Sequence, residues 1–155
     1  MTKWRAAFAG CSSPFFLALL LQLGCGTTES AATIPPVDLT VRGAWARAAD
    51  SGATAALYFA LINEGTTADT LTGATSADAE SASLHISTQH GEMMHMSLVT
   101  TLPVPAQDSV LFRPLGAHVM LTGLKRPLIE GDSILATLVF ASGRTAGVVA
   151  DVRRP

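Results

Sequence analysis

Short apolar or alternating segments, each closed by turn-forming Gly, Pro or Asn residues, recur along the chain after about residue 36. Alternation with a period of two is typical of β-strands, and evenly spaced short strands are typical of sandwiches and barrels. The sequence therefore predicts an all-β domain, with a helix left open only in residues 67–80. The predicted strands are residues 37–41, 55–62, 70–74, 82–87, 110–113, 118–122, 133–140 and 147–152.

The histidines and methionines are concentrated in one part of the chain. All four histidines and four of the five methionines fall within residues 85–120, and they include His85, Met96, His118 and Met120, separated by ten, twenty-one and one residues. A thioether is uncharged and polarisable, so it binds Ca²⁺ or Mg²⁺ poorly and Cu(I) well. Zinc prefers thiolate, imidazole or carboxylate ligands. The set therefore favours copper, with iron less favoured.

The strand pattern directs these side chains to common faces. In residues 117–122, His118 and Met120 alternate with Val119 and Leu121, and two residues of strand advance only about 6.6 Å. His85 lies on the polar face of its own predicted strand. Taken singly, a strand histidine is usually a polar surface residue and a methionine is usually core filler. Their co-occurrence favours a metal site near the surface.

The spacing of His85, Met96, His118 and Met120 resembles the metal-binding signature of PCuAC proteins, a family of periplasmic copper chaperones. The resemblance implies a cupredoxin-like Greek-key β-sandwich that binds one Cu(I) through these four residues and hands it on. It also implies a recipient such as a cytochrome oxidase subunit, at its CuA centre, or a Sco-like thioredoxin-fold protein. Supporting similarity runs from about residue 37 to residue 152, in residues 44–47, 56–58, 63–65, 69–71, 116–121, 131 and 135–140.

Further potential donors precede Met96. They are His90, Met93, Met94 and His95, and they leave open an alternative ligand or a second, weaker position for Cu(II). The four residues of the signature remain the primary predicted ligands.

The N-terminus is typical of a bacterial export signal. A basic start precedes an uncharged, apolar stretch over residues 6–24. Residues 21–25 resemble a lipoprotein lipobox, which predicts cleavage after residue 24 and acylation of Cys25. Plain secretion and an uncleaved membrane anchor are the alternatives. We expect a signal peptide at residues 1–24, a flexible tether at 25–36 and the β domain at 37–153, in the periplasm.

The positions of the cysteines and the net charge argue against two further classes of protein. The only cysteines, Cys11 and Cys25, lie in the predicted leader and at its end, so the domain lacks the thiolate of a blue-copper centre. Copper carriage is therefore favoured over electron transfer. Loss of Lys3 and Arg5 with the leader changes the net charge from −2 to −4, which is unlike a nucleic-acid binder. No sequence motif for phosphate binding or nucleophilic catalysis is present, so we expect no enzyme.

Two other interpretations stay open at this point. The chain could sequester copper for tolerance, or it could be a structural β-sandwich lipoprotein that binds no metal. Trp45 and Tyr58 are expected to be core or sheet-edge aromatics, and Arg47 is a candidate ion-pair partner for Asp69.

Overall fold

Ten β-strands make up the part of the chain that the structure, a computed structural model, describes, which is residues 38–154. No helix is present within these residues, so the all-β prediction is confirmed. The strands are β1 Leu39–Arg47, β2 Ala55–Asn63, β3 Asp69–Thr75, β4 Ala79–His90, β5 Met93–Val99, β6 Leu102–Val104, β7 Asp108–Phe112, β8 Ala117–Leu124, β9 Ser133–Phe140 and β10 Thr145–Arg153.

All ten strands belong to one continuous sheet, which must curl on itself. Its order is β5-β4-β8-β7-β2-β1-β10-β9-β3-β6, with β8 also pairing directly with β2. Strands β3 and β4 therefore lie second from opposite edges, yet only residues 76–78 join them. That connection reaches about 14 Å at most. A flat sheet would separate the two strands by roughly 30 Å. The sheet consequently closes around an interior.

The interior is filled by apolar side chains that alternate along the strands. Leu57, Leu61 and Val119 are completely buried, and the rings of Phe59 and Phe112 stack with centroids 4.2 Å apart. Complete burial of one such aliphatic side chain contributes about 1.5–3 kcal/mol. Packing of this core fixes the positions of β2, β4 and β8, and therefore of the residues on their outward faces.

A bulge in β1 brings two aromatic side chains together. The pairing of β1 with β2 shifts by one residue between Arg42 and Trp45, and Gly43 there has a φ of 60°. Glycine adopts this left-handed conformation without a steric penalty, as such bulges require. After the shift, Trp45 lies directly opposite Tyr58. The two rings are 4.5 Å apart between centroids.

Two strands and one segment differ from the sequence prediction. Strands β5 and β6 were not predicted, because the Met-rich run of β5 has no alternation and β6 contains Pro103. Both strands end the sheet, where exposed side chains and proline are tolerated. Residues 67–80, where a helix was left open, contain no helix; they include β3, a turn at residues 77–78 and the start of β4.

The predicted Arg47–Asp69 ion pair is wrong. Asp69 is instead paired with Arg144, with Nη2 and Oδ2 3.0 Å apart, and it accepts a 2.6 Å hydrogen bond from the Ser142 hydroxyl. Burial alone would raise the pKa of Asp69, but its bonds to Ser142, Thr70 and Arg144 outweigh burial and lower it. The carboxylate therefore joins the start of β3 to the turn between β9 and β10.

The expected signal peptide at residues 1–24, the lipidation site Cys25 and the tether at 25–36 lie outside the described residues. Within residues 38–154, no helix is long and apolar enough to cross a bilayer.

Candidate metal centre

Strands β4 and β8 place two of the predicted ligands side by side. His85 and His118 are direct partners in this antiparallel pair, and Ser83 lies opposite Met120. Directly paired residues project from the same face of a sheet. The two imidazole rings are accordingly stacked, with centroids 5.8 Å apart and planes inclined by 24°. His118 and Met120 share this face, since they are two residues apart on β8.

The hairpin formed by β4 and β5 adds the sulfur of Met96. A two-residue turn, Gly91 and Glu92, joins the strands, and Gly91 takes the positive φ of 62° that such turns favour. This turn sets the register in which Met96 lies opposite Ser87, two residues from His85. Met96 therefore lies on the face that carries the two histidines.

A cavity of about 490 Å³ opens beside this face. Three of the four predicted ligands line it, namely Met96, His118 and Met120. His118 is only 4% exposed whereas Met96 is 53% exposed, so the site is deeper on its imidazole side than the sequence suggested. The remaining lining residues are Arg47, Thr54, Ala55, Ala56, Tyr58, Ser87, Met94, His95, Pro114 and Leu115.

The backbone orients the ring of His118. Its Nδ1 lies 3.0 Å from the carbonyl oxygen of Gly116. A carbonyl oxygen can only accept, so Nδ1 is the donor. In the neutral ring this leaves the lone pair on Nε2, the arrangement commonly found for a metal-binding histidine.

His85 has an unsatisfied nitrogen. Its Nε2 lies 3.0 Å from the hydroxyl of Ser83, while Nδ1 is buried and has no hydrogen-bond partner within the described residues 38–154. A neutral ring that donates from Nε2 to Ser83 keeps its lone pair on Nδ1. Burial lowers the pKa of His85, and the neighbouring His118 lowers it further. Both effects favour the neutral imidazole, which is the form that binds a metal.

An aromatic wall borders the site on the side of β2. The ring of Tyr58 lies 6.2 Å from that of His118 between centroids, and Trp45 packs on the far side of Tyr58. Burial raises the pKa of the Tyr58 phenol, an effect that the charge of Arg47 partly opposes. These residues were expected to be structural, and a place in the site was not predicted for them.

The auxiliary donors on the hairpin do not share one environment. Met94 and His95 line the cavity, whereas Met93 is 66% exposed and lies outside it. By strand alternation, Met94 shares the face of Met96, because it lies opposite Gln89. The side chain of His90 lies outside what the structure describes.

Sequence reasoning missed Ser83 and the Gly116 carbonyl. Each lies two residues before a histidine, so strand alternation could have indicated Ser83, whereas the contribution of a backbone carbonyl has no sequence signal. Within residues 38–154, no group of three or more His, Cys, Asp or Glu side chains is arranged to hold a metal. The side chains that line the cavity beside His118 include the sulfurs of Met96 and Met120, a donor type unsuited to zinc or calcium.

Comparison with known proteins identifies the family. The sequence profile of the family described as "Putative lipoprotein LpqE-like" matches residues 39–152. A relative from Leifsonia xyli subsp. xyli, "Putative lipoprotein Lxx21020", is 36% identical over 142 residues, which is 88% of this chain and 85% of that protein.

Solved structures agree with this assignment. The copper-bound PCuAC domain from PmoF2 superposes with a TM-score of 0.64 at 27% identity, covering 76% of this chain and 94% of that domain. The solution structure of CuI-DR1885 from Deinococcus radiodurans has a TM-score of 0.58 at 34% identity, covering 80% and 85%. The predicted cupredoxin-like fold of PCuAC domains is confirmed. The chain belongs to the LpqE-like family and has the PCuAC fold.

Proposed function

We propose that this protein is a copper chaperone that binds one Cu(I) ion through His85, Met96, His118 and Met120 and passes it to an acceptor protein. Binding and transfer are its function, and no catalytic step is involved. The copper ion is the cargo.

One observation carries this proposal: the buried Nδ1 of His85 has no hydrogen-bond partner in the part of the chain that the structure describes, while its ring is stacked beside His118. A buried polar atom without a hydrogen bond costs about 1–3 kcal/mol, so proteins seldom retain one without a use. A bound metal ion would remove this cost. The lone pair that Gly116 leaves on His118 Nε2 supplies a second nitrogen nearby.

The sulfur donors favour copper over other metals. Met96 and Met120 line the cavity beside His118, and thioethers select a soft, monovalent ion. The names of the similar structures agree with this choice, since one is a copper-bound PCuAC domain and another is a Cu(I) form.

Unequal exposure of the ligands suggests how the ion is released. His118 is almost buried, whereas Met96 lies on the open edge strand. An acceptor thiolate or imidazole can therefore approach from β5. Its bond to copper forms as the Cu–S bond of Met96 breaks. The thioether leaves as a neutral group, so no proton moves and copper stays monovalent, while the imidazoles hold the ion until they are replaced.

We further propose that the acceptor is a cytochrome oxidase subunit or a Sco-like thioredoxin-fold protein in the bacterial envelope. The name of the family and that of the Leifsonia relative support a lipoprotein, for which Cys25 would be the acylated residue. Mass spectrometry of the mature N-terminus tests the acylation. Loss of oxidase activity in a deletion strain, with copper tolerance retained, would support the oxidase as recipient.

A Cu(I) titration of the purified protein, followed by X-ray absorption at the copper edge, tests the binding site. We expect one copper per chain with two nitrogen and two sulfur neighbours. His118→Ala should lower the affinity strongly, whereas His95→Ala, which removes a cavity-lining histidine outside the set of four ligands, should change it little. Wild-type protein that takes up no copper would leave only a structural β-sandwich lipoprotein.

A further inference from the structure

The β4–β5 hairpin continues beyond the strand that supports it. Pairing between β4 and β8 ends at Ile86 and Ala117, whereas β4 and β5 remain paired as far as His90 and Met93. Past residue 87 the hairpin is a two-stranded ribbon that, within residues 38–154, pairs with no strand on the β8 side. Isolated two-stranded ribbons are marginally stable, so this one can move relative to the sheet more easily than β8 can.

Met94 lies on this ribbon and lines the same cavity as Met96, His118 and Met120. It shares a strand face with Met96 and is 46% exposed. It lies outside the two-histidine, two-methionine set, and it has no core position that packing would explain. Core packing therefore does not explain why a half-exposed thioether lies beside the proposed copper site.

We propose that Met94 is a transient thioether ligand through which Cu(I) enters and leaves the site. This inference rests on the proposed function, because it assigns a route to the ion that the four primary ligands hold. Met94 would bind the ion together with Met96 at the mouth of the cavity. The ion would then pass inward to the histidines, and release would follow the same route outward.

Strand geometry separates this role from that of a permanent ligand. Met96 lies opposite Ser87, two residues from His85, which is about 7 Å along the strand. Met94 lies opposite Gln89, four residues from His85, which is about 13 Å. Side chains stand roughly perpendicular to a sheet, so Met94 and His85 cannot readily hold one ion together. Met94 and Met96, only about 7 Å apart, can do so because methionine has three flexible torsions.

This exchange of copper ligands needs no reactant other than the molecule that donates the copper and the molecule that accepts it. On entry, Cu–S bonds to Met94 and Met96 form as the bonds of the donor molecule break. The bond to Met94 then breaks as bonds to His85, His118 and Met120 form. Thioethers and neutral imidazoles bind through lone pairs, so copper stays monovalent and no proton is released. On exit, the first donor atom of the acceptor replaces Met96. The bond to Met94 then forms again as the bonds to His85, His118 and Met120 break, and a second acceptor donor atom displaces Met94 last.

The test compares Met94→Leu with Met93→Leu, its neighbour in sequence. Met93 is exposed as well, but it lies on the other strand face and outside the cavity. Stopped-flow spectroscopy measures Cu(I) transfer to and from a bidentate Cu(I) chelator, and a competition titration measures affinity. We expect Met94→Leu to slow both directions about tenfold, equivalent to roughly 1.4 kcal/mol in the barrier, with unchanged affinity. Met93→Leu should match the wild type.

Two results would overturn the inference. Transfer at the wild-type rate in Met94→Leu would show that this sulfur is not on the route. A loss of affinity as large as that in Met96→Leu would make Met94 a permanent ligand. Neither result touches the proposed function, which fails separately if the wild-type protein binds no Cu(I). Thermal melting of each variant confirms that it is folded.

Discussion

His85 and His118 lie directly opposite each other on β4 and β8, with ring centroids 5.8 Å apart. They are 33 positions apart in the chain, and only strand pairing brings them together. Each ring is hydrogen-bonded through one nitrogen, to Ser83 and to the Gly116 carbonyl respectively. These bonds do not involve Nδ1 of His85 or Nε2 of His118.

Loss of either histidine should weaken Cu(I) binding more than about 100-fold, since even changes to residues that only orient a ligand cost about 10–100-fold. Competition titration of His85→Ala and His118→Ala against a Cu(I) chelator measures this loss. His95→Ala removes an exposed, cavity-lining histidine of β5 that is outside the proposed ligand set, and it should change affinity little. Equal effects of all three substitutions would contradict ligation by the paired histidines.

Ser83→Ala should lower Cu(I) affinity about tenfold, because it removes the hydroxyl that orients His85 through Nε2. Ser81→Ala is the matched control, since Ser81 lies on the same face of β4 as Ser83 but two residues further from His85. X-ray absorption should still report two nitrogen neighbours in Ser83→Ala, as the histidine itself is retained. Unaltered affinity would mean that this hydroxyl does not position the ring.

Acid should destabilise the metal-free protein through His85. Burial and the neighbouring His118 lower its pKa in the folded state, whereas an unfolded histidine titrates near about 6.5. Below that pH the unfolded chain binds more protons, so the free energy of unfolding falls until the pH reaches the folded-state pKa. Urea denaturation should therefore show a shallower pH dependence for His85→Gln than for the wild type between about pH 8 and about pH 5. Identical slopes would exclude this contribution.

Copper should stabilise the folded protein by mass action. A ligand that binds only the folded state, at about 100 times its dissociation constant, adds roughly 2.7 kcal/mol. For a domain of this size we expect the melting temperature to rise by roughly 5–15 °C under anaerobic conditions. Met120→Leu keeps the side-chain volume but removes the sulfur, so its shift should be much smaller. A wild-type melting temperature that is insensitive to Cu(I) would contradict binding.

Asp69→Asn should destabilise the domain by about 1–3 kcal/mol, because it weakens the bonds from Ser142 and Arg144 to a nearly buried carboxylate. Asp151→Asn is the control, since its ion pair with Arg153 is exposed, and its effect should stay below about 0.5 kcal/mol. Urea denaturation near neutral pH measures both. As the pKa of Asp69 is lowered in the folded state, its contribution is present at neutral pH and is lost as acid protonates it.

The local sequence pattern was sufficient to predict a strand where that strand buries side chains in the core. Residues 55–62 and 133–140 alternate or run apolar because their side chains fill the core, and both are strands in the structure. The same logic failed for β5, whose side chains are almost all exposed. Neither face of β5 is buried in the core, so no hydrophobic period reveals this strand. Met96 was therefore predicted as a ligand without a prediction of the strand that carries it.

The sequence alone determined the types of donor atom, because residue type decides whether a side chain suits a soft metal ion. It also determined the all-β class, because a hydrophobic period of two indicates a β-strand. Only the tertiary structure decided the burial of His118 and its bond to Gly116, and only it left Nδ1 of His85 without a partner among residues 38–154. Each of these depends on pairing between residues distant in the chain or on a backbone carbonyl. A side-chain pattern along one strand does not contain that information.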